Sequence, residues 1–107
     1  MEREGIEEGS GNVFADLGFP DADTHLLKSG IVIHIDKILR RRRLAKRQAA
    51  RLLGLSQSEL SRLLQGHFKE YPVDSLLQLL TILGQDVEIV IRASKSRRQG
   101  RLSLEAA

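Results

Sequence analysis

The sequence predicts an all-α domain, a helix-turn-helix bundle of four to five helices, followed by one C-terminal β-strand. Three observations carry this expectation. Apolar residues recur at three- and four-residue spacing from about Asp23 to Leu83. Glycines and capping residues break that stripe at short intervals, as helix ends do. The period then changes to two over Asp86 to Arg92, DVEIVIR, where Val87, Ile89 and Ile91 alternate with Glu88, Val90 and Arg92.

The elements follow in chain order. Residues 1–12 are rich in Glu and Gly and are expected to be a disordered acidic tail. Val13 to Pro20 (VFADLGFP) holds two of the three phenylalanines. It reads either as a lid on the core, the favoured reading, or as a partner-binding arm. From roughly Asp23 to Arg43 the positions Leu27, Ile31, Ile35, Ile38 and Leu39 keep a helical period, and Gly30 weakens its middle enough to allow a break or kink.

Leu44 to Gly66, LAKRQAARLLGLSQSELSRLLQG, is the most informative stretch. Ala49, Leu52 and Leu53 mark one stripe, and Leu60, Leu63 and Leu64 mark the next. Gly54 between them can take the left-handed conformation that ends a helix. Ser56 and Glu59 match a capping box, so the second helix should start at Gln57 and close at Gly66. Each helix is only about two turns long and needs its neighbours for stability. With the leucines inside, Gln57, Ser58, Ser61, Arg62 and Gln65 face outward, a set suited to base edges in a major groove. Lys46 and Arg47 open the first helix, where backbone N–H groups also favour phosphate.

After Gly66 a loop, HFKEYP, leads to Pro72, which fits a helix start. Val73, Leu76, Leu77, Leu80 and Leu83 then form a stripe ended by Gly84. Leu79 and Ile82 fall off it, which points to a dimer contact. The strand has no partner in its own chain, and pairing with a second copy across a two-fold axis is the economical solution. Dimerisation is thus expected at Leu79, Ile82, Val87, Ile89 and Ile91, with a strand of a different protein as the alternative. In domain terms, 13–92 is a helix-turn-helix domain with a dimerisation strand, and 93–107 is a basic flexible tail.

Composition narrows the function. The chain has 107 residues, enough for one modest core. It has no cysteine and no run of membrane-spanning length, so a soluble cytoplasmic protein is expected. Its net charge of +3 is unevenly spread. Residues 1–25 hold seven acids and one base, while residues 26–101 hold sixteen bases and six acids. Four of those bases, Arg40 to Arg43, directly precede the helix-turn-helix, and Arg92, Lys95, Arg97, Arg98 and Arg101 form a second run. Basic residues beside such a motif imply phosphate contacts. Those contacts are expected from Arg43, Lys46, Arg47, Gln48, Ser56, His67 and Lys69. His25, His34 and His67 lack ligand-like spacing, and neither a GxSxG elbow nor a glycine-rich phosphate loop is present. No enzyme activity, metal or cofactor is expected. RNA binding is less favoured, because few aromatics are available for stacking.

The arrangement resembles the XRE family, the lambda-repressor and Cro-like regulators. NVFADLGFPDA, LLGLSQSELSRLLQGHFKEY and LLQLLTILGQDVEIVIR are similar to small regulators of the HigA-like antitoxin kind, over roughly residues 11–92. The resemblance implies a homodimer that binds double-stranded DNA at a palindromic operator and represses its own operon. It also implies a RelE-like toxin partner. Carried over by position, Gln57, Ser58, Ser61 and Arg62 face bases or nearby phosphates. The sequence departs from the pattern at the start of the first motif helix, where Lys46 and Arg47 precede Gln48, and at Pro72, where relatives often carry Ser or Thr.

Overall fold

The computed structural model describes residues 21–95 and 99–106. The expected acidic tail, the segment from Val13 to Pro20, and Arg97 and Arg98 lie outside the described residues. Four helices are described: α1 (Asp21–Arg41), α2 (Lys46–Leu53), α3 (Gln57–Leu64) and α4 (Val73–Ile82). α1 packs on α4 and α3, and α2 packs on α3 and α4.

α1 is the long strut, 21 residues and about 32 Å. It buries Leu27, Ile31, Val32, Ile35, Ile38 and Leu39. The helix runs unbroken through Gly30. A mid-helix glycine costs about 1 kcal/mol, and the buried stripe on either side outweighs that. The helix also stops at Arg41 and not Arg43. Arg43 adopts φ 55°, a left-handed turn, and the Leu44 N–H donates back to the Leu39 carbonyl at 3.3 Å.

The α2–α3 corner follows the sequence closely. Gly54 has φ 75° and its N–H donates to the Arg51 carbonyl at 3.2 Å. Leu55, half-buried, packs against the core at the corner. One expectation fails here. Leu52 is 42% exposed, while Ala50 is buried beside Ala49 and Leu53. With both small residues turned inward the helices approach closely, and Leu52 rotates to the rim. Leu60 and Leu63 of α3 are buried and Leu64 is half-buried.

α4 buries Val73, Leu76, Leu79 and Leu80, and Leu83 just beyond its end is buried too. Leu79 therefore belongs to the core and is not a dimer contact. α1 and α2 both pack on α4, so more of its girth is covered than one stripe predicts. Ile82 remains 45% exposed.

The expected strand over 86–92 is not formed. Residues 85–94 have no regular secondary structure, and no strand occurs among the described residues. A ladder needs a neighbouring backbone to accept and donate its hydrogen bonds, and none lies in register here. Ile89, Val90 and Ile91 are exposed. The C-terminal residues also fold back. Leu102 packs against the core, and Leu104 lies on Gly30, where an added Cβ would sit 3.2 Å from Leu104 Cδ2. No described helix is long and apolar enough to cross a membrane.

Candidate nucleic-acid interface

α3 is held at its N-terminus by a reciprocal cap. Ser56 Oγ accepts from the Glu59 N–H at 3.0 Å, and Glu59 Oε1 accepts from the Ser56 N–H at 2.8 Å. Two orphan donors are satisfied and the first turn is fixed. Below it, buried Leu60 and Leu63 seat the helix on the core. Gln57, Ser58, Arg62 and Gln65 are consequently exposed. Ser61 is only half-buried, less open than the sequence suggests.

Two open grooves flank α3. One, of about 420 Å³, runs between α3 and the α1–α2 corner and brings Ser61 and Gln65 together with Arg40 and Lys46. The other, of about 500 Å³, lies between α3 and the following loop and brings Arg62 together with His67, Lys69 and Tyr71. Each side of the helix therefore carries cations, with Asp36 beside them in the first groove and Glu59 and Glu70 in the second.

α2 opens on this face. Lys46, Arg47 and Gln48 are exposed, and its first turn holds no acid. Gln48 Oε1 accepts from the Ala45 N–H at 3.1 Å. Ala45 has no side-chain acceptor, so this cap is one-sided. The bond fixes the Gln48 amide and leaves its NH2 group as an outward donor. The loop after α3 is tied at both ends. The His67 N–H donates to the Arg62 carbonyl at 2.9 Å, and Lys28 Nζ donates to the Lys69 carbonyl at 3.0 Å. The side chains of His67 and Lys69 remain exposed.

The four arginines divide in a way the sequence does not reveal. Arg40 Nε pairs with Asp36 Oδ2 at 3.0 Å, one turn back on α1. Arg42 donates from a guanidinium nitrogen to the Leu83 carbonyl at 3.3 Å and ties the end of α4 to the α1–α2 corner. Arg41 and Arg43 make no such bond among the described residues, and all four side chains are on the exposed surface. Tyr71 was also missed. Its ring packs against the core, and its hydroxyl pKa is raised above the ordinary 10.0. Burial is the main cause, Glu59 and Glu70 add to it, and Arg62 opposes it.

Of the residues expected at a dimer contact, Val87 and Ile89 line a groove of about 330 Å³ floored by Leu27, Val73 and Leu77. Ile82 and Ile91 are exposed elsewhere, and Leu79 is buried. No group of three or more His, Asp or Glu residues that could hold a metal occurs among the described residues.

A short capped helix presented outward, beside a second helix whose N-terminus bears cations, defines a helix-turn-helix regulator. Residues 13–92 match the helix-turn-helix domain family. The chain is also similar to a solved structure that carries the name of an XRE-family transcriptional regulator. The two are 37% identical with a TM-score of 0.77, and the match covers 82% of this chain and 100% of that one. No curated protein matches. The chain belongs to the XRE-type helix-turn-helix family of DNA-binding transcriptional regulators.

Proposed function

We propose that this regulator is a sequence-specific repressor of its own operon, acting as a homodimer on a palindromic operator. The observation that carries the reading is the face of α3. Its exposed side chains are hydrogen-bonding, and cations line the grooves on both sides. α3 enters the major groove. Gln57, Ser58 and Arg62 read base edges, with Ser61 at the margin of that set. Arg43, Lys46, Arg47 and Gln48 hold phosphates on one side, and His67 and Lys69 do so on the other. Ser56, already a cap acceptor, can still donate its hydroxyl proton to phosphate.

The exposed apolar residues Val87, Ile89 and Ile91 support the dimer, because two copies could pack these segments together and take them out of water. Two α3 helices would then meet successive major grooves about 34 Å apart. The same exposed segment also suits strand addition to a different protein. It therefore supports a second reading, in which the chain neutralises a RelE-like toxin and DNA binding is auxiliary.

Gel-shift titration of the purified chain against the duplex upstream of its own gene tests the first reading. Upstream duplex should be bound well ahead of a scrambled duplex and of RNA. Affinity should fall about a thousand-fold or more between roughly 50 and 200 mM salt. Equal binding to upstream and scrambled duplex would defeat the sequence-specific reading. Co-expression with a neighbouring small basic protein tests the second. Co-purification as a stoichiometric complex would support it, and separate elution would count against it.

A further inference from the structure

The cap of α3 has a feature that capping alone does not require. In α2 the equivalent position is Gln48, whose neutral amide oxygen satisfies the Ala45 N–H at 3.1 Å. In α3 the position is Glu59, and one carboxylate oxygen, Oε1, satisfies the Ser56 N–H at 2.8 Å. Glutamine can make the same cap bond as glutamate, and the charge of glutamate adds only about 0.3–1 kcal/mol at the helix N-terminus. The second oxygen of Glu59 therefore has no role in the cap.

Glu59 is exposed, and it makes no ion pair among the described residues. It stands between Ser58 and Arg62 on the helix proposed to enter DNA. It also lines the groove that holds Arg62, His67, Lys69 and Tyr71. A carboxylate there is repelled by phosphate. Glu70 of the following loop lines the same groove, but Glu59 is the one acid on α3 itself, and its presence on that helix is a penalty for non-specific binding. That penalty is offset where the carboxylate meets a hydrogen-bond donor on a base edge.

In the major groove those donors are the exocyclic amines, N4 of cytosine and N6 of adenine. The cap bond already fixes the side chain, so little rotamer entropy is lost when Oε2 accepts a further hydrogen bond. The geometry points to Glu59 as a base-reading residue whose free carboxylate oxygen accepts from the amine of a cytosine or adenine. This inference rests on α3 being the helix that enters the groove. The same carboxylate acts against false sites, since a guanine or thymine at that step presents acceptors to it. Arg62, one turn on, prefers the acceptors of guanine. The pair would read opposite chemistry at neighbouring steps.

Glu59→Gln separates reading from capping. The amide oxygen keeps the cap, and the amide NH2 turns the free acceptor into a donor. The test is selection of bound duplexes from a randomised pool by the full chain, wild type and E59Q in parallel, with thermal melts of both. The wild type should select cytosine or adenine at one step in each half-site, and the selected base tells which amine is read. E59Q should lose that preference by about ten-fold at that step alone and gain affinity for scrambled duplex, with its melting temperature lowered by no more than the few degrees that the lost helix-end charge costs. Selection of the same base by both proteins would overturn the inference and leave the α3 reading intact. Selection of no sequence by the wild type would overturn both.

Discussion

Residues on the proposed interface divide by what holds them. Lys46 stands at the first position of α2, exposed, with no acid in its turn. Lys46→Ala should weaken operator and scrambled duplex equally and lower the salt slope by about one, read from gel shifts across a salt series. Arg62→Ala should instead reduce discrimination, by about 1–3 kcal/mol at one base step. Arg42 behaves differently because its guanidinium is engaged with the Leu83 carbonyl, so its loss is felt in stability before affinity. Tyr71 gives an independent check on the packing beside Arg62. Its folded pKa is raised, so its contribution to stability is complete below pH 10 and is lost as pH rises through the folded value. As the chain's one tyrosine, it should show tyrosinate absorbance at a higher pH in the native protein than in urea. Coincident titrations would contradict the half-buried placement.

At the scale of elements, Gly30 is the informative position. It sits mid-helix with ordinary helical backbone, and its missing side chain makes room for Leu104. Leu104 is 40% exposed and lies in a segment without regular structure, so it can yield a few tenths of an ångström. Gly30→Ala should therefore raise stability, by up to about 1 kcal/mol in urea unfolding. A loss of stability would mean that Leu104 is clamped in place. The contrast with the α2–α3 corner explains what the sequence made legible. Gly54, Ser56 and Glu59 act on their immediate neighbours, so local rules located that corner to the residue. Leu52 and Leu79 depart from the sequence reading because their outcome depends on what packs across from them. Two alanines turned Leu52 outward, and two helices covered Leu79. In the same way, Arg40 and Arg42 read as free cations until Asp36 and the end of α4 came within reach. The strand over 86–92 was legible only as a pattern, because strand formation needs a second backbone.

At the scale of the whole molecule, the proposed dimer rests on two points. On the proposed two-fold operator one α3 would read only half of the site, and Ile89, Val90 and Ile91 stay in water at exposures of 56%, 68% and 76%. In the proposed dimer, one event resolves both. An Ile89→Asp/Ile91→Asp variant should sediment as a monomer at concentrations where the wild type is a dimer, and should lose affinity for a two-half-site operator far more than for a single half-site. Unchanged sedimentation would move the dimer contact elsewhere. The central claim, that α3 reads sequence in duplex DNA, is tested most directly by the ratio of affinities for operator and scrambled duplex. That ratio should be measured for the wild type and for Gln57→Ala/Arg62→Ala. The account predicts that the ratio falls to near one in the double variant while salt-dependent binding to any duplex persists. A double variant that kept the full wild-type ratio would contradict it.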